Sequence, residues 1–276
     1  MANPFLDFRK RTNVEVKEYD DTPILLYEDH RVTLNVLKYG FEKGFFADPP
    51  NLICFDYHDD FLVPSCGMKR MKSFYSNSPN ERDFHDFVEF ELSGSDDDWI
   101  ITGLEFQLIN DVILIGVEDD HNLPDNNEYI DHLGNKHGVY SISHICNAID
   151  NRGQLGDLSR QTEFKDVRDC IQFNSNGDLN FNSGNVYPFI LDIDLDCFST
   201  DIWQIRKAVP YQILSNYFGK YISHAHRNSK TFFNELFKRS QVMTIAKESG
   251  CCGGFNESQK ILSYLNDILF HNELDI

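Results

Sequence analysis

Asp56, His58 and Asp60 close a short apolar run, Leu52-Ile53-Cys54-Phe55, and alternate along the chain at i, i+2 and i+4. In extended backbone that spacing sends all three side chains to one side. The run reads as a strand buried on both faces, so carboxylates at its end carry a desolvation cost of several kcal/mol each unless a positive group meets them. No Lys or Arg lies between Lys43 and Lys69. A metal ion is the direct answer. A second apolar run, Tyr187 to Leu191, ends in Asp192-Ile193-Asp194-Leu195-Asp196, with Asp192 and Asp194 on one face. Oxygen-rich ligation with a minority of imidazole suits Mn²⁺ better than the thiolate sets of structural zinc.

The elements that must position these groups read as an α/β pattern. Pro23 to Tyr27 is a strand candidate followed by Glu28-Asp29-His30, and apolar positions at Val32, Leu34, Val36, Leu37 and Phe41 predict a helix over 30–43. With the strand at 51 this makes a first βαβ unit, and it puts His30 at the same kind of strand end as Asp56. Further strands are expected at Val112 to Val117, ending in Glu118-Asp119-Asp120 and His121, and at Val242 to Ala246, followed by Glu248. In open parallel sheets the carboxyl edge of the strands is where ligands bind. Residues 1–22 read as surface chain, 81–92 and 96–109 as amphipathic helices, and 139–149 as a short strand and helix. Asp96-Asp97-Asp98 fits an acidic first helical turn. Asn- and Gly-rich stretches around Leu179-Asn180-Phe181 predict a hairpin, and 200–224, 229–240 and 256–270 read as helices.

Composition narrows the classes. The chain of 276 residues, 41% apolar, is long enough to bury the core of one α/β domain spanning 1–276. A net charge of -19 argues against nucleic acid or an anionic membrane as partner and would attract a cationic substrate. Seven cysteines without C-x-x-C pairing read as reduced thiols. With no signal-like N-terminus and no apolar window near the roughly 18 residues of a membrane span, the expected compartment is the cytoplasm.

Two local readings fail on their own motifs. A metallophosphatase would need a Gly-Asn-His motif that Gly134-Asn135-Lys136-His137 does not supply. A calcium loop opening at Asp192 would need Gly and Glu where Cys197 and Trp203 stand. Taken together and in order, His30, Asp56-x-His58-x-Asp60, Asp192-x-Asp194 and Glu248 resemble the ureohydrolase (arginase and agmatinase) superfamily. The wording Glu28-Asp29-His30 and Leu191-Asp-Ile-Asp-Leu-Asp-Cys-Phe198 is similar to its divergent peptide arginase branch. The resemblance implies an arginase-like three-layer α/β/α fold with a mainly parallel central sheet. It implies two Mn²⁺ held by His30, Asp56, His58, Asp60, Asp192 and Asp194, with Asp56 and Asp192 bridging.

It further implies hydrolysis of arginine side chains in a ribosomally made precursor peptide to ornithine and urea. Glu248 would bind the guanidinium, Asp60 would accept a proton, and His137, His121 or His85 would protonate the leaving amine. The chain departs from arginases in having Leu195-Asp196-Cys197 where they have Leu-Asp-Pro, and in lacking a His-Gly motif in register. Free arginine, agmatine or another small guanidino compound is the alternative substrate, and a mononuclear zinc deacetylase of the related fold is the alternative enzyme.

Overall fold

A computed structural model describes residues 3–8, 13–117, 122–142, 171–173, 179–181, 188–220 and 236–276. Its centre is an eight-stranded sheet. In chain order the strands are β1 (Glu15–Tyr19), β2 (Thr22–Tyr27), β3 (Asn51–Phe55), β4 (Val112–Ile115), β5 (Glu128–Ile130), β6 (Lys136–Ile142), β9 (Phe189–Asp194) and β12 (Met243–Ala246). Two small hairpins, β7–β8 (Ile171–Phe173 with Leu179–Phe181) and β10–β11 (Ser199–Ile202 with Ile205–Ala208), lie outside it. The strand order is β1-β2-β12-β9-β3-β4-β6-β5. The six inner strands are parallel, and β1 and β5 pair antiparallel at the two edges.

The inner strands are unbroken apolar runs because both faces are covered. Every residue of β2, β3, β4, β9 and β12 is buried. Alternation then splits the side chains between two cores. Ile24, Leu26, Ile53, Phe55, Leu191 and Ile193 pack with α5 (Tyr211–Lys220) and α6 (Phe255–Phe270). Leu25, Tyr27, Leu52, Cys54 and Ile190 pack with α1 (Val32–Glu42), α3 (Glu81–Glu91) and α4 (Trp99–Glu105), and with Met71 of α2 (Met68–Tyr75). The result is a mixed α/β fold with a mostly parallel central sheet and helices over both faces. Among the described residues no helix is long and apolar enough to cross a membrane.

Several expectations change. Residues 199–208 form the β10–β11 hairpin, not a helix, and the helix starts only at Tyr211, after Pro210. Trp203 and Gln204, both with φ near +60°, make the two-residue turn whose twist suits a hairpin. Within 1–22, Glu15–Tyr19 is an edge strand, and Phe5, Phe8 and Val14 are buried. The helix sought over 96–109 spans only Trp99–Glu105, and its acidic start has another use: Asp98 accepts from the amides of Ser65 and Ser93. The strand sought from 139 begins at Lys136; residues 143–149, 221–224 and 229–235 of the expected helices lie outside the described residues, and of the helix expected over 229–240 the described 236–239 are helical.

Candidate metal centre

Four neighbouring strands, β2, β12, β9 and β3, run parallel, so their carboxyl ends meet at one edge of the sheet. His30 follows β2, Glu248 follows β12, Asp194 ends β9 with Asp196 in the 3-10 turn beyond it, and Asp56, His58 and Asp60 follow β3. Topology alone thus gathers residues more than two hundred positions apart in sequence.

His30 is the hub, fully buried against the Trp99 ring. Its Nδ1 lies 3.0 Å from Asp60 Oδ2, 3.3 Å from Asp194 Oδ2 and 3.4 Å from Asp56 Oδ2. That nitrogen makes no hydrogen bond. A buried, unpartnered nitrogen facing three carboxylate oxygens is a donor set that fits a divalent cation. The opposite ring nitrogen, Nε2, lies 2.5 Å from Asp192 Oδ2.

The second half of the cluster forms around His58, which is half exposed. Its Nδ1 is 3.0 Å from Asp196 Oδ2 and 4.0 Å from Asp56 Oδ1. Asp56 therefore presents one oxygen to each histidine. Asp56, His58 and Asp196 form one group with ligand atoms in mutual reach; His30, Asp56 and Asp60 form another, and His30, Asp194 and Glu248 a third.

The supporting shell is specific. Asp60 Oδ2 accepts from the indole Nε1 of Trp99 at 2.6 Å. The His30 amide donates to Asp96 Oδ2 at 2.8 Å, and Arg31 Nε stands 3.3 Å from the other Asp96 oxygen. Asp96 thus holds the loop that carries His30. The Glu248 amide donates to Glu28 O at 3.0 Å and the Ser249 amide to Glu28 Oε1 at 2.8 Å, which ties the loop after β12 to the loop after β2. Asp60 and Glu248 both adopt positive φ, 46° and 30°, a conformation non-glycine residues seldom take. Such strain clusters at functional sites, where the surroundings hold it in place.

Crowding of acids sets the protonation. Burial, then repulsion from Asp60 and Asp194, pushes the Asp56 carboxyl well up. Burial and the neighbouring Asp196 push Asp194 up to about 7. Burial, then Asp194, pushes Glu248 up to about 10. The hydrogen bond to Asp196 raises His58 to about 9. Burial would depress His30, but the attraction of Asp192 and the surrounding carboxylates carries it well above its ordinary value. A cation among these groups would displace the protons they share.

Of the residues singled out from sequence, His30, Asp56, His58, Asp60, Asp194 and Glu248 come together. Asp192 meets His30 at the other ring nitrogen, where His30, Cys54 and Asp192 form a further group with ligand atoms in mutual reach, while Asp196 stands beside Asp56 and His58. Asp192 lies within the ladder, opposite Thr244 and Cys54, whereas Asp194 is at the last rung and Asp196 is beyond it. His137 is at the start of β6, the opposite edge of the sheet, with Nδ1 2.6 Å from Asn110 O and Nε2 3.3 Å from Asp131 Oδ2. It is a packed structural histidine and not a proton donor to this centre. His121 and the acids at 118–120 lie outside the described residues. His85, on α3, lines a cavity of about 780 Å³ together with Glu28, Asp29 and Lys247, the residues flanking His30 and Glu248.

Cys251 was also missed. Its thiol lies within reach of Asp196 and Glu248, and burial, then Glu248, pushes it up to about 12. No family model matches the chain, and no curated protein matches it.

Proposed function

We propose that this protein is a binuclear metal-dependent hydrolase of the guanidinium group, arginase-like in fold, acting on arginine residues of a precursor peptide to leave ornithine and release urea. The observation that carries the reading is the convergence of two histidines and five carboxylates, drawn from four adjacent strand ends, on a largely buried cluster. A purely structural role would need these buried acids either to stay protonated at neutral pH or to repel one another uncompensated. His30, Asp56, Asp60 and Asp194 would hold one ion, and Asp56, His58 and Asp196 the other. Oxygen-dominated ligation favours Mn²⁺.

Two such cations supply an activated water at neutral pH and a Lewis acid beside it. The protein's own groups do the rest. Glu248, pinned through its backbone to Glu28, accepts hydrogen bonds from the cationic guanidinium and so fixes the carbon of a resonance-deactivated group. The guanidinium in turn stabilises the Glu248 carboxylate that burial alone would keep protonated. Asp60, held by Trp99, is placed to take a proton released at the centre. The net charge of -19 favours encounter with a cationic peptide.

The test is to incubate purified protein with Mn²⁺ and an arginine-containing peptide, free arginine or agmatine. Urea is assayed, and the peptide is weighed by mass spectrometry for arginine-to-ornithine conversion. Conversion of the peptide in preference to the small molecules is the expected result. Conversion of the small molecules alone would move the substrate class, and no urea from any of the three would refute guanidinium hydrolysis.

A further inference from the structure

On the Nε2 side of His30 the surroundings are of a different kind from those on the Nδ1 side. Asp192 is fully buried and surrounded by donors. It takes His30 Nε2 at 2.5 Å and the Cys54 thiol at 3.1 Å on one oxygen. The Thr244 hydroxyl donates to the other oxygen, and the Thr33 hydroxyl lies 3.3 Å from it. Thr244 and Cys54 are its direct cross-strand neighbours on β12 and β3, so the ladder itself builds the pocket. One anion ringed by donors is a closed hydrogen-bond shell; three carboxylates facing one unpartnered nitrogen are an open ligand shell. The two shells lie on opposite edges of one imidazole.

We propose that Asp192 is a positioning residue: it accepts the Nε2 proton of His30, fixes the tautomer that leaves the Nδ1 lone pair toward Asp56, Asp60 and Asp194, and is not itself a metal ligand. A carboxylate behind a ligating histidine sets ring orientation and raises ligand basicity, and its loss commonly weakens metal binding by about 10–100-fold. The inference rests on the metal-binding part of the proposed function and is independent of the substrate.

Mn²⁺ titration by calorimetry, with elemental analysis after desalting, separates the possibilities in the full-length protein. Asp192→Asn keeps the shape and an acceptor but removes the charge. It should still bind two ions at saturation, with one site weakened by about 10–100-fold. Asp194→Asn should lose an ion outright. Thr244→Val, which removes a donor to Asp192 and touches no proposed ligand, should weaken the same single site by less than Asp192→Asn does, and it carries the test should Asp192→Asn fail to fold. A drop in Asp192→Asn to one ion or none at saturation would make Asp192 a ligand and overturn the proposal, as would unchanged affinities in both variants. So would a cadmium-loaded protein whose thiolate absorption vanishes on Cys54→Ala, since that places the ion on the Nε2 side. Wild-type protein that binds no Mn²⁺ would refute the metal reading itself, and this one with it, whatever the variants do.

Discussion

Removing metal should invert the pH dependence of stability. Asp194 is 1% exposed, and its carboxyl is held near 7 by burial and by Asp196. A carboxyl whose folded pKa exceeds its unfolded value contributes stability that is complete below about pH 4 and is lost as pH rises through the folded pKa. His58 and His30, also raised, act in the same direction across neutral pH. Asp192, lowered, reaches its full contribution above about pH 4 and adds no slope there. From Asp194 alone, three units at about 1.4 kcal/mol each give at most about 4 kcal/mol between pH 4 and 8.

For a domain of this size that is a fall in Tm of roughly 10 °C. Thermal melts in EDTA from pH 4 to 8.5 should show it. With excess Mn²⁺ the trend should turn upward, because ligand binding gains as protons leave. Asp194→Asn should flatten the EDTA curve while changing the net charge by one, which separates the buried acid from general self-repulsion of an acidic surface. A metal-free Tm that is level or rising over this range would refute the reasoning.

Other outcomes follow from single contacts. Glu248→Gln should retain both ions and lose at least about a hundredfold in kcat/KM, read by metal analysis beside urea release, because a neutral amide replaces the carboxylate that faces the guanidinium. Trp99→Phe removes the indole hydrogen bond to Asp60 Oδ2 and should cost about 1–3 kcal/mol in denaturant unfolding at neutral pH. Gly253→Ala should lower stability by more than about 1 kcal/mol, since φ is +94° and a Cβ would sit 2.2 Å from the Arg206 carbonyl oxygen; the loss is measurable by chemical denaturation.

What could be read without coordinates was the part governed by burial. Apolar runs ending in acids marked β3, β9, β4 and β12, and the shared carboxyl edge followed from parallel pairing. Which acids of Asp192, Asp194 and Asp196 face the centre was not legible, because all three share one parity along the strand. The answer depends on where the ladder stops, at Asp194, and a period of two carries no mark of that. The sequence offers His137, His121 and His85 alike as proton donors, and nothing along the chain marks which edge of the sheet a histidine occupies; His137 stands at the start of β6. The β10–β11 hairpin was read as helix since its turn is Trp203-Gln204, without the Gly or Asn that usually supplies positive φ. The Asp96-Asp97-Asp98 run reads as a helix cap, whereas Asp96 accepts from the His30 amide, 66 residues away.

Asp60 and Glu248 place their acids on backbone that glycine would occupy more comfortably. A library of variants selected only for heat resistance should therefore drift toward glycine at Glu248, while the Trp99 hydrogen bond opposes the same change at Asp60. Durability would rise as the centre was dismantled, so any screen for a hardier form of this protein has to score metal content alongside melting.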